Sequence, residues 1–104
     1  MNFEWNKNHL SALERVKIEE KEPEMYQVIL HNDDFTPMEF VVTVLEKWFH
    51  MSRRQASDVM MAVHMRGMAS CGSYTKDVAE TKAAQVIDFA RMHEHPLFCS
   101  RELA

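Results

Sequence analysis

An abrupt change from strand-like to helix-like sequence near residue 35 constrains the fold of this chain most strongly. The run from Tyr26 to Leu30 is rich in aromatic and branched residues, as is typical of a strand. The run from Thr36 to Glu39 has the order of a capping box, with a hydroxyl cap, proline at the first helical position and a carboxylate in the third. A strand therefore ends and a helix begins within a few residues, and Asn32, Asp33 and Asp34 lie in the connection.

This connection concentrates hydrogen-bond acceptors. In an extended segment, Asn32 and Asp34 point to the same side and Asp33 points to the other. One interpretation is a binding site for a cation or an ammonium group, because ionised carboxylates only accept hydrogen bonds. The other is an Asx turn, in which a side chain accepts from nearby backbone amides. Both functions can coexist in different members of the trio.

Hydrophobic spacing predicts three helices. The first covers residues 37–49. A second capping box begins at Ser52 and starts the second helix, which Gly67 ends in the left-handed conformation. Thr75 is expected to cap the third helix, which cannot continue through Pro96.

Two further strands are predicted, over residues 68–74 and 97–101. The element order is then β-α-α-β-α-β. The economical packing for this order is an α+β fold, a small three-stranded antiparallel sheet with three helices on one face.

Composition limits the functional classes. The chain has 104 residues, enough for one domain, and a formal net charge of −4, which argues against nucleic-acid binding. No apolar run is long enough to span a membrane or to form a secretory signal, so a cytoplasmic protein is expected. Residues 1–24 are rich in mixed charges and are expected to form a mobile tail, with the folded domain over residues 25–104.

Two other candidate sites depend on histidine. His64 is placed on the buried stripe of the second helix, where it is either a core residue or, if that helix packs beside the Asn32–Asp34 connection, part of a site there. His93 and His95 with Cys71 or Cys99 form a possible metal site, although the spacing is loose and the cysteines are more simply reduced and buried. No nucleophile elbow or glycine-rich loop is present, which argues against an enzyme.

Several separated motifs together resemble the ClpS adaptor family and fall in its order over about residues 25–101. They are the run from Tyr26 to Val41, Ala62-Val63-His64 followed by Gly67, Cys71-Gly72, the run from Val78 to Lys82, and Glu94-His95-Pro96-Leu97. One departure is His31, where members of the family commonly carry an apolar residue.

The resemblance implies an adaptor of the bacterial N-end rule without catalysis or cofactor. Such an adaptor binds proteins whose first residue is Leu, Phe, Tyr or Trp and passes them to the N-terminal domain of the unfoldase ClpA, which works with the protease ClpP. A monomer is sufficient for this function, and the tail would assist delivery.

The resemblance also implies three groups of site residues. The free α-amino group would be held by Asn32, Asp33, Asp34 and His64. The alternation of side chains in the connection favours Asn32, Asp34 and His64 for direct contact. The first side chain would enter a pocket in which Met38 keeps β-branched residues out, and which is lined by Leu30, Thr36, Met38, Val41, Met60, Val63 and Leu97. The unfoldase would contact Asp77, Thr81 and Lys82. The alternatives are a metal-binding protein and a general protein-interaction domain that ignores peptide N-termini.

Overall fold

A computed structural model describes residues 23–104 of the chain. The predicted tail, residues 1–24, lies almost entirely outside this range. The elements follow the predicted order and are β1 (Met25–His31), α1 (Met38–Phe49), α2 (Arg53–Arg66), β2 (Met68–Thr75), α3 (Lys76–Met92) and β3 (Phe98–Leu103).

The strands form one antiparallel sheet in the order β2-β1-β3. Because successive side chains of a strand point to opposite faces, the central strand separates a helix-covered face from an open one. Val28 and Leu30 are fully buried in the core beneath the helices, whereas His31 is only half-buried. The predicted α+β fold, with three helices on one face of a three-stranded antiparallel sheet, is confirmed.

The core lies between the sheet and the helices. Leu45 and Val44 of α1 and Val86 of α3 are fully buried there with the central strand, and helix α2 contributes Ala56 and Val63. Both cysteines are buried free thiols, as expected. Among residues 23–104, no helix is both long enough and apolar enough to cross a bilayer.

The ends of α2 follow local sequence rules. The Ser52 hydroxyl accepts a hydrogen bond from the backbone N–H of Gln55, and the side-chain oxygen of Gln55 accepts one from the backbone N–H of Ser52. Gly67 ends the helix with a φ of 89°. The predicted capping box and the predicted left-handed glycine are therefore confirmed.

The predicted capping box at the start of α1 is wrong. The N-cap position is Pro37, and no side chain forms a capping hydrogen bond there. The Thr36 hydroxyl instead donates to the carboxylate of Asp33. Thr75 does occupy the N-cap position of α3, but its side chain likewise forms no capping hydrogen bond.

Candidate functional site

A cavity of about 220 Å³ opens between the loop after β1, the start of α1 and the second half of α2. It brings together the predicted acceptor cluster, the predicted histidine and most of the predicted apolar pocket. Its lining residues are Asn32, Asp33, Asp34, Thr36, Met38, Val41, Met60, Val63 and His64. Every one of them was proposed from the sequence.

Leu30 and Leu97 are not among the residues that line this cavity, and their expected place in the pocket stays a prediction. Leu30 is 0% exposed and Leu97 is 3% exposed. Both belong to the core cluster that also contains Val41 and Val63, whose surfaces do reach the cavity. Leu30 is buried because it lies on the central strand and points into the core, where other side chains cover it.

Asp33 organises the loop that forms one wall of the cavity. Its Oδ1 accepts from the amides of Phe35 at 2.8 Å and Thr36 at 2.7 Å, and its Oδ2 accepts from the Thr36 hydroxyl at 2.7 Å. Burial by itself would raise the pKa of Asp33, but these hydrogen bonds, helped by attraction to His95, outweigh it and lower the pKa below its ordinary value. The Asx-turn interpretation therefore applies to Asp33.

Asn32 and Asp34 are exposed and, within residues 23–104, their side chains have no hydrogen-bond partner in the chain. Their acceptors remain available at the mouth of the cavity. The trio is thus divided between one residue that fixes the loop and two that face outward, as the sequence argument allowed.

His64 reaches the same cavity because the loop is bound to the end of α2. The amide of Asn32 donates to the carbonyl of Gly67 at 2.8 Å, and His64 lies one helical turn before that glycine. The prediction that His64 occupies the buried stripe is wrong, since its side chain is exposed. Each helical residue advances by about 100°, so His64 lies at the border of the stripe that contains Val63.

The cavity combines an apolar floor with an acceptor-rich mouth. Val41 and Val63 are buried at its base, and Met60 is partly buried beside them. Met38 is 43% exposed, so it stands at the opening. This arrangement suits a ligand with an apolar group and a positively charged, hydrogen-donating group close to each other.

The alternative metal site is not formed. Within the described part of the chain, no three His, Cys, Asp or Glu side chains are grouped to hold a metal ion. His95 packs edge-on against Phe40 at 4.4 Å between ring centroids, and His93 packs against the same ring. Burial raises the pKa of the Cys71 and Cys99 thiols to about 12, so neither is poised as a thiolate ligand.

The residues expected to contact an unfoldase also lie together. Asp77, Thr81 and Lys82 line a shallow groove of about 270 Å³ on α3, with Val78 and Gln85. The Lys82 ammonium is already used inside the fold, where it donates to the carbonyl of Trp48 at 2.8 Å. It also lies over the rings of Phe49 and Tyr74, at 5.5 and 5.2 Å from their centroids.

The sequence did not reveal the internal roles of Thr36 and Lys82. Thr36 was assigned to a helix cap and a pocket wall, and its hydroxyl in fact orients Asp33. A carboxylate three residues before a threonine was the available signal, but the same pair also fits a capping box. The Lys82 contact joins residues 34 positions apart, so no local pattern indicates it.

Comparison with known proteins gives a consistent result. Residues 21–100 match the family model described as "ATP-dependent Clp protease adaptor protein ClpS". The chain is 50% identical over 103 residues to the ATP-dependent Clp protease adapter protein ClpS of Vibrio cholerae, covering 99% of this chain and 97% of that protein. It is 57% identical over 86 residues to the adapter of the same name from Hyphomonas neptunium, covering 83% and 73%.

A solved structure extends the similarity to three dimensions. The structure of Agrobacterium tumefaciens ClpS2 bound to L-phenylalaninamide superposes with a TM-score of 0.78 at 40% sequence identity. The match covers 80% of this chain and 100% of that one. With the fold, the family model and relatives of about half-identical sequence in agreement, this chain belongs to the ClpS family of ATP-dependent Clp protease adaptor proteins.

Proposed function

We propose that this adaptor binds proteins that begin with Leu, Phe, Tyr or Trp and delivers them to the ClpA unfoldase of the ClpAP protease. The observation that carries the proposal is one cavity that is lined both by the acceptor side chains of Asn32 and Asp34 and by an apolar floor. The ligand of the related Agrobacterium ClpS2 has matching chemistry. L-Phenylalaninamide carries a free α-amino group, a benzyl side chain and an amide in place of a carboxylate, as does the first residue of a peptide.

The α-amino group is held by Asn32, Asp34 and His64, while Asp33 keeps the loop in place. A terminal ammonium group ordinarily has a pKa of about 7.7 to 8.0, so it is largely charged at neutral pH. Hydrogen bonds to a charged group contribute about 1.5 to 3 kcal/mol each. Asn32 and Asp34 have no competing partner in the chain within residues 23–104, so they engage the ligand without breaking an internal bond.

The first side chain enters the apolar base formed by Val41, Met60 and Val63. Burying a Leu or Phe side chain contributes about 1.5 to 3 kcal/mol. After the costs of association are subtracted, a dissociation constant in the micromolar range is expected. Met38 stands at the opening and excludes side chains that branch at Cβ, such as Ile and Val.

Delivery uses a second surface. The groove of α3 that contains Asp77, Thr81 and Lys82 shares no lining residue with the cavity, which supports separate sites for a client and an unfoldase on one monomer. The N-terminal domain of ClpA is the proposed partner of this groove, and residues 1–24 assist the transfer. The protein acts in the cytoplasm and performs no catalysis itself.

A reconstituted degradation assay tests the whole proposal. A fluorescent reporter that begins with Leu is incubated with ClpA, ClpP and ATP, with and without this chain. Degradation should accelerate when the chain is added, and a Thr81→Arg variant should still bind a Leu-first peptide but fail to accelerate degradation. A reporter that is degraded at the same rate with and without the chain contradicts the delivery function.

A further inference from the structure

The open face of the sheet carries an exposed apolar row at one end. His31 of β1 pairs with Met68 of β2 and with Phe98 of β3, so the three side chains lie side by side on one face. Leu30 points into the core, which places the next residue, His31, on the uncovered side. Met68 is 49% exposed and Phe98 is 54% exposed.

His31 holds this row in place. Its ring lies 5.3 Å from the Phe98 ring, centroid to centroid, and its Nε2 is 2.7 Å from the hydroxyl oxygen of Ser100. The next row toward the middle of the sheet consists of Ile29 between Ser70 and Ser100 and carries no charge, but Ile29 itself is only 7% exposed. The remaining residues of the two rows form what we call the sheet-end patch: Met68, His31, Phe98, Ser70 and Ser100.

The sheet-end patch is continuous with the mouth of the cavity. His31 directly precedes Asn32, and Met68 directly follows Gly67. Asn32 and Gly67 are the two residues whose backbone hydrogen bond, 2.8 Å long, closes that side of the mouth. Consecutive Cα atoms are about 3.8 Å apart, so the patch begins within one residue of the site proposed to hold the α-amino group.

We propose that the sheet-end patch is a second binding site, which takes apolar side chains at positions two to four of the same client. This inference rests on the proposed binding of the first residue at the cavity. Two to three residues of extended chain span about 7 to 10 Å, enough to pass from the mouth onto the row of Met68, His31 and Phe98. An uncharged surface with exposed Met and Phe favours apolar side chains, and Met adapts to different shapes.

A different exit path would follow the loop after β1. Phe35, which is 80% exposed, lies in this loop directly after Asp33 and Asp34. That loop is acidic, whereas the sheet-end patch is not. The uncharged patch is the better match for apolar client residues, and Phe35 supplies a matched control of the same residue type.

Fluorescence anisotropy with two labelled peptides tests the inference. Both begin with Leu and differ only at positions two to four, which are Val-Phe-Val in one and Ser-Ser-Ser in the other. We expect the apolar peptide to bind about eightfold more tightly, the effect of burying roughly 50 Å² of apolar surface. The variants Phe98→Ser and Met68→Gln should each lose most of this preference, and Phe35→Ser should keep it.

Competition with L-leucinamide separates this inference from the proposed function. Leucinamide reaches only the cavity, so the parent and all three variants should bind it equally, which also shows that the variants are folded. If leucinamide binds but the two peptides have equal affinity for the parent, the second site is contradicted while the first stands. Loss of the preference in Phe35→Ser but not in Phe98→Ser also overturns it, as does a Phe98→Ser variant that changes only self-association.

Discussion

Asn32, Asp33 and Asp34 are consecutive and chemically similar, yet the fold gives them different roles. The Asp33 carboxylate accepts three hydrogen bonds from its own loop, while the side chains of Asn32 and Asp34 face outward. A rigid loop presents the two outward acceptors without a further loss of conformational entropy when a ligand binds. The amine site proposed here therefore depends on a residue that does not itself need to contact the amine.

Replacing Asp33 with Asn tests this division. At neutral pH we expect the free energy of unfolding to fall by about 1.5 kcal/mol, because hydrogen bonds to a charged acceptor are lost. The pKa of Asp33 is lowered in the folded protein, so its stabilisation is complete above the ordinary carboxyl value and disappears as the pH falls through the lowered one.

Urea unfolding of the parent and the Asp33→Asn variant, from neutral to strongly acidic pH, measures both effects. The two proteins should differ at neutral pH and converge in acid. A difference that stays constant over the whole range would show that the Asp33 charge does not stabilise the loop.

His64→Ala should weaken the binding of a Leu-first peptide about tenfold at neutral pH, the equivalent of one hydrogen bond to a charged donor. Anisotropy titrations with the labelled peptide measure this. The control is His50→Asn, which removes an exposed histidine from a left-handed position outside the cavity. If His64→Ala keeps the affinity of the parent, the role is refuted.

Met38→Ala should admit peptides that begin with Ile or Val, because the side chain at the opening is shortened. Met61→Ala is a matched control, since Met61 is 45% exposed, close to the 43% of Met38, and does not line the cavity. Relative affinities for Leu-, Ile- and Val-first peptides give the readout. If the Met38→Ala variant still rejects peptides that begin with Ile or Val, Met38 is not the residue that excludes them.

Among the helices and strands, sequence rules predicted correctly those ends that are determined by contacts between neighbouring residues. The start and end of α2 were predicted correctly because Ser52, Gln55 and Gly67 act on neighbours in sequence. The cap of α1 was predicted wrongly because Asp33 competes for Thr36. Strand β3 runs to Leu103, beyond the predicted residue 101, because β1 continues to pair with it.

The residues that line the cavity were all named from the sequence, but the contact that brings them together is not local. The sequence suggested that the loop after β1 and helix α2 contribute to one site, but hydrophobic periodicity could not show that they are in contact. The hydrogen bond between Asn32 and Gly67 does so, and it is a contact between distant segments. Leu30 and Leu97, which the family resemblance places in the pocket, are buried in the core beside the cavity, and spacing alone does not show what covers an apolar residue.

Lys82 connects α3 to α1 through a hydrogen bond, and we expect its replacement to lower the free energy of unfolding. Its ammonium donates to the Trp48 carbonyl near the end of α1, one of the carbonyls that the helix itself leaves unpaired. Lys82→Met keeps the apolar stem, so the expected decrease of about 1 kcal/mol in the free energy of unfolding reports the lost hydrogen bond.

Urea denaturation of Lys82→Met and of Lys76→Met gives the comparison. Lys76 is an exposed lysine on the same helix, and its replacement should change the stability little. Equal stability of the two variants would show that the contact to Trp48 contributes nothing measurable.

At the scale of the whole molecule, a one-sided sheet explains why so small a domain offers several surfaces. The helices cover one face and build the core, the loop between β1 and α1 meets α2 at the cavity, and α3 presents its own groove. The face of the sheet that no helix covers carries the sheet-end patch. We propose that client binding, delivery and the recognition of later client residues use these different parts of one domain.

We propose that the cavity recognises an unblocked N-terminus, and the binding of two fluorescent peptides tests this. Both begin with Leu and share one sequence, but one has its α-amino group acetylated. The free peptide should saturate the protein in the micromolar range, and the acetylated one should bind at least about a hundredfold more weakly, since it leaves Asp34 desolvated without a charged partner. Equal affinity for the two peptides would contradict the account.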